Sequence, residues 1–433
     1  MRAALQISHS VGYSFSRATG NSLRKSCAAV LSHRQMDSNT LLEGHFQATR
    51  ERMTAAADKD LVFAQDTVYL NYSGQTDMEG LGAIQGNVLG IVQHNTLAVG
   101  GQSGLPLGLV YLRNWTRGGY QSWENESQKW FASLALLNEL SASLPDKRLI
   151  LVQDREADIL ALFKAPRAQN VHLLTRVCQA RRYEILDPST QGDHQRQVGH
   201  LREQARSLLP LGHTQVTIDR AGKPVTLTLE VAASVVRIWP NKILSVARHQ
   251  TEPLSLVVAR EIEAVDAQGQ SVFASDQAAE WWLVTSMDAS TLDQALEIIR
   301  YYALRWRVER LHYTLKSGAL RVEKLQFDDV STLCNALALY SLTAWRLLHV
   351  TYLARAQPQS QPEEAFSSQE LEILQRAGKK PLHSLSDAVQ ALGRLVNFVP
   401  TKRQPLPGVK ILAEGLAKLD ILCQAWDLFN KSG

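Results

Sequence analysis

Two unbroken apolar runs of four, Leu61-Val62-Phe63-Ala64 and Leu149-Ile150-Leu151-Val152, share the same sequel. Such runs are the mark of strands buried on both faces. Each is followed by Gln-Asp, at Gln65-Asp66 and Gln153-Asp154, where both strands are predicted to end. Between them, residues 81–113 read as hairpin material. Val88, Leu89, Ile91 and Val92 precede Leu109-Val110-Tyr111-Leu112, with Gly90 and Gly108 as interruptions.

Helical spacing appears from Ser38 to about Ala57, where Leu41, Leu42, Phe46 and Met53 follow a cap at Ser38 or Asn39. It recurs over residues 124–143, with Trp130, Leu134, Leu137 and Leu140 on one face, and over Ala157–Phe163. Residues 1–30 show no convincing period. From Thr214 to Thr285 the runs Val216-Thr217-Ile218, Val225–Val231, Leu254–Val258 and Trp281–Thr285 predict strands, with a turn at Ala221-Gly222-Lys223-Pro224. Strands grouped before a helix, then strand–helix, predict an α/β domain with a mixed sheet and a strand-built insertion.

Beyond the insertion, Ser290 and Asp293 predict a capping box for a helix running through Lys316. Residues 331–356 predict a second helix rich in Leu and Ala. The polar stretch Gln357–Ser368 reads as a linker and residues 369–433 as a helical tail. No internal repeat is visible.

The helix ending at Lys316 carries the sharpest chemical signal, YALRWRVERLHYTLK over residues 302–316. At 100° per residue Tyr302, Arg305, Glu309 and Lys316 share a stripe roughly 60° wide. Leu304, Val308, Leu311 and Leu315 fall opposite and supply an apolar footing. One acid among cations and an aromatic suits a divalent cation beside a polyanion. A solvated, salt-bridged face is the plainer alternative.

Asp66 and Asp154 at strand ends, with Glu309, would make three acids with up to six oxygens, the ligand type that Mg²⁺ requires. Two such ions about 3.5–4 Å apart can activate an attacking oxygen and stabilise the leaving one in phosphodiester chemistry. Taken singly, a strand-terminal aspartate is as readily a turn or helix cap. Glu156 and Asp158, which follow Asp154 in the string DREAD, are expected at the start of a helix on dipole grounds alone. Neither is assigned to the metal. His312, three residues after Glu309, completes no zinc pattern and reads as structural. Trp281-Trp282 are either core aromatics or a stacking platform for an unpaired base.

Length and composition narrow the class further. At 433 residues the chain predicts two or three domains. Its 45% hydrophobic and 20% charged residues are ordinary for a soluble globular protein. The net charge of +4 permits a nucleic-acid partner without demonstrating one. Cys27, Cys178, Cys334 and Cys423 form no C-x-x-C pair and read as reduced thiols. No apolar run approaches the roughly 18–20 residues of a membrane span. The first 36 residues hold five Arg/Lys and no acid, which suits a transit peptide, an anion-binding arm or an unstructured leader. Gly80, Gly82 and Gly86 miss the dinucleotide-binding spacing, and neither a P-loop nor a G-x-S-x-G elbow is present.

The two aspartates and the Y-x2-R-x3-E-x6-K helix together resemble the DDE transposases of bacterial insertion sequences, and more narrowly the IS-four family with its Tyr-Arg-Glu-Lys signature. QDTVYLNY around Asp66, ENESQKW at Glu124–Trp130, LVQDREADI around Asp154 and EWWLVTS before the signature helix support it. The gaps of 88 residues from Asp66 to Asp154 and 155 from there to Glu309 leave room for a β insertion.

The resemblance implies an RNase H-like catalytic core over residues 58–356, with a β insertion at about 205–286. It also implies a short N-terminal DNA-binding helical segment (residues 1–57) and a C-terminal helical dimerisation region (residues 369–433). Asp66, Asp154 and Glu309 would hold Mg²⁺, with Mn²⁺ as a substitute. Tyr302, Arg305 and Lys316 would grip terminal phosphates, Trp281 would stack on a flipped base, and Arg176 would contact that nucleotide. The implied partners are double-stranded transposon ends and target DNA, held by a homodimer in the bacterial cytoplasm, with no membrane. The implied reaction is cut-and-paste transposition, with a nick, a hairpin intermediate and strand transfer.

Two features depart from that pattern. Asp66 comes early, so the N-terminal segment is short and specific end binding is put in doubt. Position 313 is Tyr where relatives often carry a basic residue. A remnant that binds DNA, or pairs with intact transposase and blocks it, is the alternative from a different class. A nuclease of the RNase H fold acting in repair or RNA processing is a third, but it leaves the signature helix without explanation.

Overall fold

The computed structural model describes residues 20–75, 77–186, 198–220, 223–240, 250–276, 278–402 and 404–430. Most of the N-terminal basic stretch, and Ala221-Gly222 of the expected turn, lie outside the described residues. The chain divides into two compact units. The first comprises residues 1–58, 66–126 and 306–433; the second comprises residues 59–65 and 127–305.

In the first unit, helix α1 (Gly20–Leu31) precedes α2 (Ser38–Ala55). The N-cap of α2 is Asp37, one residue before the expected cap, and its side chain accepts from Thr40 N–H. Leu42, His45, Thr49 and Met53 form the buried face of α2. Strand β1 (Asp60–Asn71) belongs to both units, passing from the second to the first between Gln65 and Asp66. β2 (Gly82–Gln85), β3 (Val88–Gly100) and β4 (Pro106–Trp115) are antiparallel to one another in sequence, and β3 also neighbours β1. From Gly90 to Gly100 every residue of β3 is buried, as expected of a strand covered on both faces.

The same unit contains α7 (Trp306–Lys316), α8 (Val330–Ala356), α9 (Ser368–Gly378), α10 (Leu385–Arg394) and α11 (Val409–Asn430) (α3 to α6 belong to the second unit, below). α8 is apolar all round rather than striped, and it packs on α2, β4 and α7. A helix without a polar face needs neighbours on several sides. Capping is explicit here: Asp329 accepts from Thr332 N–H before α8, and Ser367 with Glu370 forms a capping box before α9.

The second unit holds α3 (Gln128–Ser141), β5 (Arg148–Gln153), α4 (Leu160–Lys164), β6 (Val171–Arg176), β7 (Arg182–Ile185), β8 (Val198–His200) and α5 (Leu201–Arg206). It continues with β9 (Gly212–Arg220), β10 (Lys223–Trp239), β11 (Leu254–Asp266), β12 (Glu280–Thr285) and α6 (Leu292–Leu304). Its mixed sheet runs β1-β5-β6-β12-β11-β10-β7-β8, with β9 on the other half of β10's free edge. β1, β5 and β6 are parallel, and from β12 onward the pairs are antiparallel. This mixed α/β arrangement is compatible with an RNase H-like DDE domain. Tyr183, Val236, Ile238, Leu256, Val258, Trp282 and Val284 make one core of the unit.

Three expectations are corrected. β1 does not end at Asp66 but continues to Asn71, because Val68, Leu70 and Tyr72 alternate inward and sustain the strand. The helix through Lys316 is two helices, α6 and α7, which meet at Arg305. The N-cap of α6 is Thr291, whose capping box closes on Gln294 rather than from Ser290 to Asp293.

Candidate functional site

The residues singled out by sequence fall into two groups, one in each unit. Asp154, Arg176, Trp281, Tyr302 and Arg305 belong to the second unit, and Asp66, Glu309 and Lys316 to the first.

Within the second unit, Asp154 follows the last residue of β5 and sits at the N-cap of the 3₁₀ turn Arg155–Ala157, without capping it through its side chain. Its Oδ1 is buried and has no hydrogen-bond partner among the described residues. A carboxylate oxygen left so is costly unless something else meets it. Glu156 pairs instead with Lys129 at 3.3 Å. Asp158 is buried and accepts from Cys178 N–H, Gln179 N–H and Arg181 Nε. Both acids after Asp154 thus have structural partners, but these are Lys129 and the Cys178–Arg181 segment rather than a helix N-terminus.

Tyr302 is buried, with the Arg305 guanidinium 5.6 Å from its ring centre and the Trp281 ring 6.1 Å away. Burial raises its phenol above the ordinary value, and the Asp154 charge adds to that, while Arg305 and Arg176 oppose it. Trp281, Tyr302 and Arg305 therefore lie together, and the charges of Asp154 and Arg176 act on the same phenol. The tryptophan pair divides, as strand alternation requires: Trp282 joins the core, whereas Trp281 on the other face is half-buried beside Tyr302. Arg176 Nη2 donates to Glu280 O at 3.3 Å, and Arg176 pairs with Leu283 in the sheet.

In the first unit Asp66 Oδ1 accepts from Thr67 N–H at 2.8 Å, and Thr67 Oγ1 lies 2.9 Å from His94 Nδ1. Asp66 Oδ2 lies 4.0 Å from His312 Nδ1. Val308, Leu311 and Leu315 of α7 are buried as expected, with Glu309 half-buried on another side. Lys316 is engaged inside the protein. Its Nζ donates to Tyr69 O at 2.9 Å and pairs with Glu323 at 3.3 Å. His312, read from the sequence as structural, is buried on α7 with Nε2 3.0 Å from Asn95 Nδ2.

Among the described residues, no group of three or more His, Cys, Asp and Glu side chains is arranged to hold a metal ion. Asp154 Oδ1, a buried carboxylate oxygen with an unmet lone pair, is the type of ligand that a hard divalent cation prefers. No helix among the described residues is long and apolar enough to cross a membrane.

Residues 131–343 match the family model of the transposase DDE domain. That stretch contains Asp154, Arg176, Trp281, Tyr302, Arg305, Glu309 and Lys316, and it stops short of Asp66 on the N-terminal side. The match supports a DDE transposase, and with it an enzyme of the nuclease–transposase class, which generally uses divalent ions.

Proposed function

We propose that the chain is a DDE transposase of the IS-four type, cutting DNA at transposon ends and joining the freed ends to target DNA. The observation that carries this reading is the family match over residues 131–343, which includes the whole Tyr-Arg-Glu-Lys helix segment. Asp66, Asp154 and Glu309 are assigned as the ligands of Mg²⁺, or of Mn²⁺ in its place. In support, β1 and β5 are parallel with Ala64 opposite Val152; Gln65-Asp66 follows within β1, whereas Gln153 ends β5 and Asp154 comes just after it. The ions supply Lewis-acid activation of the attacking oxygen and charge stabilisation at the leaving one.

The chain's own groups do the rest. Arg305 and Arg176 neutralise phosphates near the scissile bond, Tyr302 packs against the sugar–phosphate backbone, and half-buried Trp281 stacks on an extruded base. Lys316 joins them by exchanging Tyr69 O and Glu323 for a phosphate. Residues 1–57 are assigned to DNA binding and 369–433 to dimerisation. Residues 58–356 are assigned to the RNase H-like core, interrupted at about 205–286.

The test is nicking of a duplex carrying the inverted repeats that flank the coding region, with Mg²⁺ or with EDTA. Strand-specific nicks that need Mg²⁺ and vanish in Asp154→Ala and Glu309→Ala are expected. Nicking that survives Asp154→Ala would refute the ligand assignment. Binding of the duplex with no nicking by the intact chain would favour the inhibitory remnant, and cleavage indifferent to the repeats would favour a general nuclease.

A further inference from the structure

His312 is buried on α7, and its two ring nitrogens face different groups. Nε2 lies 3.0 Å from Asn95 Nδ2, and Nδ1 lies 4.0 Å from Asp66 Oδ2. Which nitrogen carries the proton follows from a chain of buried amides behind it. The Cys334 carbonyl can only accept, so Asn114 must turn Nδ2 toward it, at 3.1 Å. Asn114 Oδ1 then accepts from Gln93 Nε2 at 2.8 Å. Gln93 Oε1 in turn accepts from Asn95 Nδ2 at 3.1 Å and from Ser341 Oγ at 3.4 Å. The opposite orientation of Asn95 would set its oxygen against Gln93 Oε1. Asn95 therefore presents N–H to His312, Nε2 accepts, and the neutral ring carries its proton on Nδ1, facing Asp66.

Gln93, Asn95 and Asn114 are all buried to within 2% of full cover. Three amides in such a place are expensive unless paired, and all their other amide atoms are paired while Asn95 Oδ1 has no partner among the described residues. Four elements (α8, β4, β3 and α7) join to deliver a single N–H dipole to one carboxylate. At 4.0 Å the interaction is electrostatic rather than a direct hydrogen bond.

We propose that Asn95 and His312 are positioning residues for Asp66, holding its Oδ2 in the orientation that a divalent cation needs. The inference rests on Asp66 being a ligand. Partners behind a ligand typically change metal affinity by ~10–100-fold when removed.

The experiment titrates Mn²⁺ into the full-length chain by calorimetry, with melting curves confirming the fold of each variant. His312→Asn keeps an N–H donor near the Nδ1 position, whereas His312→Gln keeps a polar group near Nε2 and abandons Asp66. The expected result is Mn²⁺ affinity within about threefold of the parent for His312→Asn, and a loss of roughly tenfold for His312→Gln and for Asn95→Leu. A histidine that merely fills its site and satisfies Asn95 gives the reverse order for the two His312 variants, and any order other than the expected one overturns the proposal. Asp66→Asn separates the two levels. If it leaves Mn²⁺ binding unchanged, the ligand assignment itself fails. If it abolishes binding while the His312 variants are indistinguishable, only the positioning role fails.

Discussion

Asp154 should cost the protein stability in the absence of metal. Its Oδ1 is buried without a hydrogen-bond partner, and its side chain caps nothing in the turn that follows. An unsatisfied buried acceptor costs about 1–3 kcal/mol. Truncation in Asp154→Ala also gives up a favourable charge at the start of a three-residue 3₁₀ turn, worth at most about 0.5 kcal/mol in so short an element. The balance favours the variant by about 1 kcal/mol, or roughly 2–4 °C in melting temperature for a unit of this size. Mn²⁺ should reverse the ranking. At a hundred times Kd it stabilises the parent by about 2.7 kcal/mol and leaves the variant almost unmoved. Differential scanning calorimetry in EDTA and then in MnCl₂ reads both effects. A variant that melts below the parent in EDTA, or that gains as much from Mn²⁺, would refute the reasoning.

Arg305→Ala should weaken duplex binding and reduce the slope of log affinity against log salt by about one unit or less, measured by fluorescence anisotropy; an unchanged slope would remove Arg305 from the phosphate contacts. Burial holds His45 down to about 3 and His349 down to about 4, with Arg52 adding to both. Both folded values lie below the unfolded one near 6.5, so the stability they carry is present above that pH and is lost as pH falls toward 4 and then 3. At pH 5 each should cost up to about 2 kcal/mol, and the double variant His45→Gln, His349→Gln should lose less stability between pH 7 and pH 5 than the parent in urea titrations. An identical acid loss would show that other groups dominate. Gly90→Ala would set a Cβ 2.0 Å from Leu70 O, so its midpoint in urea should fall by the equivalent of about 1–3 kcal/mol or more; an unchanged midpoint would show that β3 moves away from β1 freely.

Much of the second unit's sheet was legible because buried strands leave unbroken apolar runs. Leu61–Ala64 and Leu149–Val152 both lie in the parallel part of the sheet, and the β-rich stretch after Thr214 forms strands as read. The run past Asp66 is legible too, in the alternation of Val68 and Leu70 with the residues between them. The division of the expected helix at Arg305 was not, because ALRWR holds neither glycine nor proline to mark it. Nor was α1, although Leu23, Cys27, Val30 and Leu31 stand at helical spacing.

The sequence by itself determined which side chains are available for chemistry, since the Tyr302, Arg305, Glu309 and Lys316 spacing and the cations around it are properties of residue type and order. Tertiary structure alone decided which groups are already committed. Lys316 is held by Tyr69 O and by Glu323, Asp158 by the backbone beyond β6, and His312 by an asparagine 217 positions away. The physical reason is that a buried polar group must find its partner wherever the fold brings one, and no local pattern of residues records a partner hundreds of positions distant.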